Sequence, residues 1–534
     1  MPVGIWLLPS PRIQAIALGM SHQNPSFLPM IKKIRVFLAV AVLVCATALF
    51  LDHTGTLQPY LGFLARVQLV PALLALNLGV VAGLAVVTLV LGRVYCSILC
   101  PLGLFQDAVA RLARRHRKRS YSYTKARTGM RLCVLALFVL ALLLGLGSLV
   151  ALLDPYASFG RMMNALVQPL VQLANNGLSY VAEHLHSYAF APVDVWFKSV
   201  PLLVIAIATL AIVGYLAARH GRLYCNTVCP VGTMLGFLSR FALIRPILNG
   251  AKCVNCKKCE RSCKASCIDL ETGSIDASRC VACMNCVDVC PTGALVLGLA
   301  KAGKKDVQTA KSAASAKNAR KNVASTGLSR RDFVKGSALA AVAAPAGTDK
   351  AIDGGLAKIV PKENPVRATG IVPPGAQSHA NFAAHCTGCQ LCVSVCPTAV
   401  LRSARGLLTL MQPEMGYERG YCRPECTRCG EVCPTGAILP ITRAQKSALQ
   451  IGRAVWKRDL CVSVTSGHPC DNCARHCPVE AITMMPLDAS KVDGPKFPAI
   501  NELRCTGCGA CEYLCPARPL SAIHVEGVLV HAEI

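Results

Sequence analysis

Acidic side chains are scarce in this sequence. Its 534 residues hold 28 Asp and Glu against 56 Lys and Arg, a formal charge of +28, and charged residues make up only 16%. Aromatic residues are also few, at 5%. So basic a soluble protein would suggest nucleic acid, but no stacking aromatics interleave the basic runs. Much of the charge flanks apolar stretches or sits in a linker, where orientation and lipid contact explain it better. No nucleic-acid partner is expected. There is no dinucleotide glycine fingerprint and no P-loop. Cys-x2-Cys-His does not occur either, which excludes c-type haem.

What is abundant is apolar residues and cysteine. Hydrophobic residues reach 53% and mean hydropathy is +0.46. The length suffices for three or four domains. Four runs almost free of charge, 34–51, 70–91, 132–153 and 200–217, each approach the ~20 residues a bilayer crossing needs. Lys32, Lys33 and Arg35 precede the first, and Arg111 to Arg119, Lys125, Arg127 and Arg131 separate the second from the third. Loops 52–69 and 154–199 hold only Arg66, Arg161 and Lys198. The positive-inside bias puts the basic segments in the cytoplasm and 154–199, with His184 and His186, outside. Those two histidines read as interfacial polar residues, and Cys45 and Cys133 as small core residues. Residues 1–29 form a nondescript leader, with Met30 the more ordinary start.

A repeat ties the apolar half together. Gly92-Arg93-Val-Tyr95-Cys96-x3-Cys100-Pro101-Leu-Gly103 returns as Gly221-Arg222-Leu-Tyr224-Cys225-x3-Cys229-Pro230-Val-Gly232. Cysteines at i and i+4 share a helix face, and two copies bring four thiols together. Cys96, Cys100, Cys225 and Cys229 are therefore candidate catalytic residues. The alternatives are a redox or metal site, a quinone-proximal site, or packing of small residues.

Most of the 31 cysteines stand in runs whose spacing wraps iron–sulfur clusters. Cys253, Cys256, Cys259 and Cys263 are followed by Cys280, Cys283, Cys286 and Cys290. In such runs the fourth Cys serves the other cluster. One set is therefore Cys253, Cys256, Cys259 and Cys290, and the other Cys280, Cys283, Cys286 and Cys263. Cys267 is the rival to Cys263 and reads as spare. Zinc sites rarely need four evenly stepped cysteines ending in Pro. Four further quartets follow: Cys386, Cys389, Cys392, Cys396; Cys422, Cys426, Cys429, Cys433; Cys461, Cys470, Cys473, Cys477; and Cys505, Cys508, Cys511, Cys515. The inner two have stretched first gaps. Together these are 24 metal-ligating thiols, enough for six [4Fe-4S] clusters.

Between the two groups, 301–327 is a basic linker with disordered composition. After it, Ser329-Arg330-Arg331-Asp332-Phe333-Val334-Lys335 and a short Ala-rich run make a twin-arginine export signal, 328–350. The expected architecture is an α-helical membrane domain of four transmembrane helices, 30–250, with α+β ferredoxin-like [4Fe-4S] domains. These are a cytoplasmic two-cluster module, 251–300, and a four-cluster domain, 351–534, outside the membrane.

With its doubled Tyr-Cys-x3-Cys-Pro and two-cluster module, 30–291 resembles the NapH-type membrane quinol dehydrogenases of periplasmic nitrate reduction. Residues 329–534, with the twin-Arg segment, Pro373-Pro374-Gly375 and four quartets, resemble the NapG-type periplasmic ferredoxins. The resemblance implies a quinol dehydrogenase or electron-transfer subunit of the inner membrane. It would draw on the quinone pool, use quinol as substrate, and feed a periplasmic reductase, a molybdenum-containing nitrate reductase being the first guess. It also implies that fourth ligands are exchanged between the first and last C-terminal quartets, and between the middle two. A copper reductase or assembly factor, or a redox sensor or scaffold, are the other functions this pattern allows.

Overall fold

The structure is a computed structural model that describes residues 27–117, 120–195, 198–299, 352–353, 357–358, 360–404, 406, 409–487 and 494–534. The linker 301–327, the export-signal segment and nearly all of the leader lie outside the described residues.

In chain order the helices that build the apolar half are α1 (Phe27–Leu51), α2 (Leu69–Leu74), α3 (Leu78–Leu91), α4 (Pro101–Arg117), α5 (Thr128–Leu143), α6 (Gly147–Leu153), α7 (Pro155–Met162), α8 (Gln168–His184), α9 (Val200–His220) and α10 (Pro230–Ser239). Only α1 and α9, among the described residues, are long and apolar enough to cross a membrane. The other two apolar runs are interrupted, so four continuous spans are not what forms. Leu76 takes a φ of 52°, and Asn77 then caps α3 by accepting the Val80 N–H at 3.3 Å. Between α5 and α6 the chain turns at Gly145, φ 67°. A left-handed residue and a side-chain cap end a helix whatever its hydropathy. Alone, α3 and α5 rise about 21 and 24 Å, short of the ~30 Å hydrocarbon core.

Phe37, Val44, Leu143 and Val204 are among many large apolar side chains left exposed on these helices. Cys133 is exposed with them and Cys45 is half-buried, so neither is a core residue. His184 and His186 are exposed too; the His184 ring lies against Tyr180, with centroids 4.3 Å apart.

The cysteine-rich segments fold around short antiparallel pairs. In the first module β1 (Ile244–Leu248) pairs with β4 (Leu295–Leu299), and β2 (Ile268–Asp269) with β3 (Ser274–Ile275) between them. Further on, β5 (Leu401–Ser403) pairs with β6 (Pro413–Met415). The arrangement of the first module then recurs. β7 (Leu449–Trp456) pairs with β10 (Ile523–Glu533), enclosing the hairpin of β8 (Ile482–Pro486) and β9 (Lys496–Ile500).

The two cysteine-rich regions lie at opposite ends of α1. At its start, Lys32 pairs with Asp288 of the first module at 2.5 Å. The basic segment packs there as well: Tyr121 N–H donates to Arg261 O, and Arg131 donates to the Ser278 hydroxyl. At its other end, Phe50 packs on Tyr156 and Phe159. Gly160 there lies so close to the C-terminal domain that a Cβ on it would stand 2.4 Å from Cys389 O. Arg66 donates to Glu431 O, and Arg419 pairs with Asp194.

Candidate metal centres

The first module contains two thiol-lined cavities. Cys253, Cys256, Cys259 and Cys290 line one, and Cys263, Cys267, Cys280, Cys283 and Cys286 line the other. In every evenly spaced run, the residues just before and just after the second Cys have positive φ. They are Asn255 and Lys257, Ala282 and Met284, Gly388 and Gln390, Gly507 and Gly509. Five of these eight carry a Cβ, and each such residue costs about 1–3 kcal/mol. Five such residues in three of the loops, and glycine at both places in the fourth, bend each loop around a centre rather than along a strand. The third residue after the closing Cys repeats the device at Ser266, Gly293, Ala399, Gly436 and Glu480. Backbone N–H groups meet the sulfurs: Ala481 reaches Cys477 Sγ at 3.2 Å and Ala522 reaches Cys515 Sγ at 3.3 Å. Curled loops, converging thiols and amides aimed at sulfur fit [4Fe-4S] clusters.

Cys267 shares the second cavity. Its Sγ is 3.6 Å from that of Cys263. Hydrogen bonding with Cys267 pulls the Cys263 and Cys280 thiols down, while Cys267 itself is pushed up. Ser266 gives Cys263 the same following turn as Cys290, Cys396, Cys433 and Cys477.

In the C-terminal domain the geometry corrects the pairing that the resemblance implied. Burial raises the thiols of Cys386, Cys389 and Cys392, and the neighbouring sulfur of Cys433 raises each further. Cys396 stands in turn beside Cys422 and Cys429. Likewise Cys477 is beside Cys505 and Cys508, and Cys515 is beside Cys473. Consecutive quartets therefore interlock, first with second and third with fourth, instead of outer with outer and inner with inner. The physical reason is local closure. β7 and β10 wrap the last two quartets into one unit, and β5 with β6 lies between the first two. The units meet where Cys422 N–H donates to Cys508 O at 2.9 Å.

The repeated motif builds a third kind of site, and each of its fixed residues has a task. Gly92 and Gly221, at φ 74° and 66°, end α3 and α9. The arginines then cross between repeats. Arg93 donates to Cys96 Sγ at 3.7 Å and to Cys225 O at 3.2 Å. Arg222 donates to Cys225 Sγ at 3.9 Å and to Cys96 O at 2.7 Å. Cys229 caps α10, its Sγ accepting the Gly232 N–H at 3.3 Å, and Cys100 Sγ accepts from Gly103 at the start of α4. Gly103 and Gly232 leave room for this: a Cβ would stand 2.5 Å from Arg222 Nη1 or 2.2 Å from Cys225 O. All four thiols are buried. Burial first, and then the facing sulfurs, push Cys100 and Cys229 up.

Both arginines are fully buried. Arg222 is held by Asp107, which also pairs with Lys264 of the first module. Arg93 is held by Asn226 Oδ1 at 2.8 Å and Ser278 O at 3.1 Å, and its Nε has no partner among the described residues. Farther along, Asp154 caps α7 and Arg161 donates to Ala151 O. Burial, with Cys433 and Asp154 adding and Arg161 opposing, pushes Cys389 up to about 12. The repeat site thus lies between the first module, reached through Ser278 and Lys264, and the quartet of Cys389, reached through Asp154 and Arg161. Asp107, Lys264 and Arg161 were not singled out as site residues in the sequence. Their signal is a charge with no surface to face, which a linear pattern does not display.

Comparison with known proteins agrees with this chemistry. A family described as a 4Fe-4S binding domain matches 73–120 and 200–249. A 4Fe-4S dicluster domain matches 468–518, and another 4Fe-4S binding domain matches 274–296. The methylamine utilization ferredoxin-type protein MauM of Methylobacillus flagellatus is 33% identical over 158 residues, 28% of this chain and 64% of that protein. MauM of Paracoccus denitrificans is 31% identical over 173 residues, 30% of this chain and 73% of its own length. The ferredoxin-type protein NapF of Escherichia coli K12 is 30% identical over 160 residues, 30% of this chain and 88% of its own. No solved structure matches. Curled thiol loops and these matches define an iron–sulfur electron-transfer protein carrying multiple [4Fe-4S] clusters. The chain belongs to the ferredoxin-type 4Fe-4S proteins related to NapF and MauM.

Proposed function

We propose that this chain is a membrane-bound quinol dehydrogenase that passes electrons outward to a periplasmic reductase. One observation carries the reading. A cavity of about 270 Å³ opens at the basic end of the bundle, between the start of α1, the end of α3 and the first module. Its lining is mostly apolar, with Ile34, Leu38 and Ile98, yet it includes Cys280 of the second thiol set and the guanidinium-bearing Arg35 and Arg245. An apolar pocket with a few polar groups suits a quinone ring and its tail. Arg35 is buried, and its Nε has no partner among the described residues, which leaves a donor for a quinol oxygen. The exposed apolar faces of α1, α5 and α9 support burial in lipid, and α1 lines this cavity with Ile31, Ile34 and Leu38.

Six sets of cysteines would hold the clusters, Cys253, Cys256, Cys259 with Cys290 and Cys280, Cys283, Cys286 with Cys263 in the first module. In the C-terminal domain the interlocked quartets supply four more. Bound there, [4Fe-4S] clusters supply one-electron transfer at potentials that burial and hydrogen bonds tune. The chain's own part is spacing and exclusion of water. The interlocked order runs inward to outward, from the Cys389 set near α7 to the half-buried thiols of Cys461, Cys470 and Cys473. A quinol gives up two electrons, leaving singly along this path, and two protons, leaving to solvent. The NapH- and NapG-like division of the chain, the export segment and a molybdenum-containing acceptor belong to this same reading.

The test uses anaerobic protein in lipid nanodiscs. A short-chain quinol should bleach the visible cluster absorbance of the wild type. Ile98→Trp, which fills the cavity, should slow the bleaching about tenfold, a loss of about 1.4 kcal/mol, while dithionite still reduces both proteins fully. Wild-type protein that dithionite bleaches and quinol does not would remove the dehydrogenase reading.

A further inference from the structure

The segments 73–120 and 200–249 match a 4Fe-4S binding family, yet they contain no ferredoxin quartet. Their cysteines are Cys96 and Cys100 in the first and Cys225 and Cys229 in the second. The structure brings these four together about the crossing arginines, as described above. We infer that Cys96, Cys100, Cys225 and Cys229 are the ligands of a further iron–sulfur cluster, held between the two repeats and additional to the ferredoxin-type sets. The inference deepens the proposed function and rests on it only for the direction of electron flow.

Charge is the first argument. Arg222 and Lys264 share the one carboxylate of Asp107, and Arg93 is held by Asn226 Oδ1 instead, so these three cations leave a surplus of two positive charges beside the thiols. Among its contacts Arg93 has an amide oxygen, two carbonyls and a thiol, and no carboxylate. A guanidinium buried without an anion is costly. Four thiolates around an oxidised iron–sulfur core carry about two negative charges, which match that surplus. Neutral thiols do not.

Hydrogen bonding is the second. Gly103 and Gly232 N–H groups point at Cys100 and Cys229, each the first residue before a helix, where the helix dipole also favours negative charge on sulfur. Each arginine also donates toward the remaining sulfur of its own repeat. Every one of the four thiols therefore has a donor directed at it, the same treatment Cys477 and Cys515 receive.

Position is the third. Ser278 O, two residues before Cys280, accepts from Arg93, and Ala265 O, two residues after Cys263, accepts from Asn226. On the other side stand Tyr156, Asp154 and Cys389. A one-electron carrier here would bridge the two cysteine-rich ends of the molecule. It would accept one electron and give one up, with no bond made or broken.

Iron counting decides the matter without quinol. Six ferredoxin-type clusters account for about 24 iron atoms, and a seventh raises this to about 26 or 28 for a two-iron or four-iron core. Wild-type protein, purified anaerobically and titrated with dithionite, should show this excess and one additional redox component. The Cys100→Ser/Cys229→Ser protein should fall to about 24 and lose that component alone, with the other electron paramagnetic resonance signals intact. If the variant fails to fold, the wild type suffices: full occupancy of the six signals with no iron above about 24 overturns the inference. A quinol reading that fails would leave the iron excess in place, so the two failures are told apart.

Discussion

At the scale of single residues, thiol spacing was legible throughout, and thiol partnership was legible in the first module but not among the four C-terminal quartets. Loops with intervals of two, two and three wrap a centre on their own, and positive φ at Asn255, Met284 and Gln390 shows how the backbone does it. With four quartets in one domain, which closing Cys joins which loop depends on strands far from either, so spacing alone leaves it open. Interlocking of consecutive quartets makes a sharp prediction. Cys433→Ser should free Cys386, Cys389 and Cys392 for alkylation and leave Cys505, Cys508 and Cys511 protected. Cys515→Ser should free Cys461, Cys470 and Cys473 and spare the Cys386 loop. Peptide mass spectrometry after anaerobic iodoacetamide reads both. Exposure of the Cys386 loop in the Cys515 variant would restore the outer-with-outer pairing. The repeat was legible as a string, but its purpose needed Asp107 and Lys264, which stand 157 residues apart and meet only in the fold.

Among elements, hydropathy located the apolar runs and missed their breaks. A Gly145 turn and an Asn77 cap look like ordinary members of an apolar run, because a cap acts through one backbone geometry and not through composition. The helix ends also carry the contact between the bundle and the C-terminal domain. Gly160 on α7 admits both the Phe50 ring and Cys389 O, and a Cβ would lie 2.7 Å from the one and 2.4 Å from the other. Gly160→Ala should therefore weaken docking by about 1–3 kcal/mol, the usual cost of overpacking. Limited proteolysis should cut the variant faster near residues 376–392 and leave the first module as resistant as in the wild type. Equal cleavage in both proteins would mean that this contact yields without cost.

For the whole molecule, the two cysteine-rich ends of α1 match the bias of Lys and Arg that the sequence displays. The basic segments pack on the first module, and the charge-poor loops pack on the C-terminal domain. Clusters need reduced thiolates for assembly, so a cluster domain destined for the outside must be loaded before it crosses. Arg330→Lys/Arg331→Lys should leave the helices inserted and keep the C-terminal domain inside. Protease added to intact spheroplasts should then cut the wild type beyond about residue 350, the end of the proposed export segment, and spare the variant. Protection of the wild type would put every cluster in the cytoplasm and favour a cytoplasmic acceptor or metal reduction.

The central claim is that electrons from quinol reach the far end of the C-terminal domain. Its outermost thiol set contains Cys461, Cys470, Cys473 and Cys515, and Cys461→Ser identifies the resonance signal that belongs to it. Freeze-quenched nanodisc samples, mixed anaerobically with quinol and no other reductant, show whether that signal appears. It should grow in the wild type at the rate of quinol oxidation and be absent in Ile98→Trp at the same times. A signal that dithionite produces and quinol never does would contradict the account.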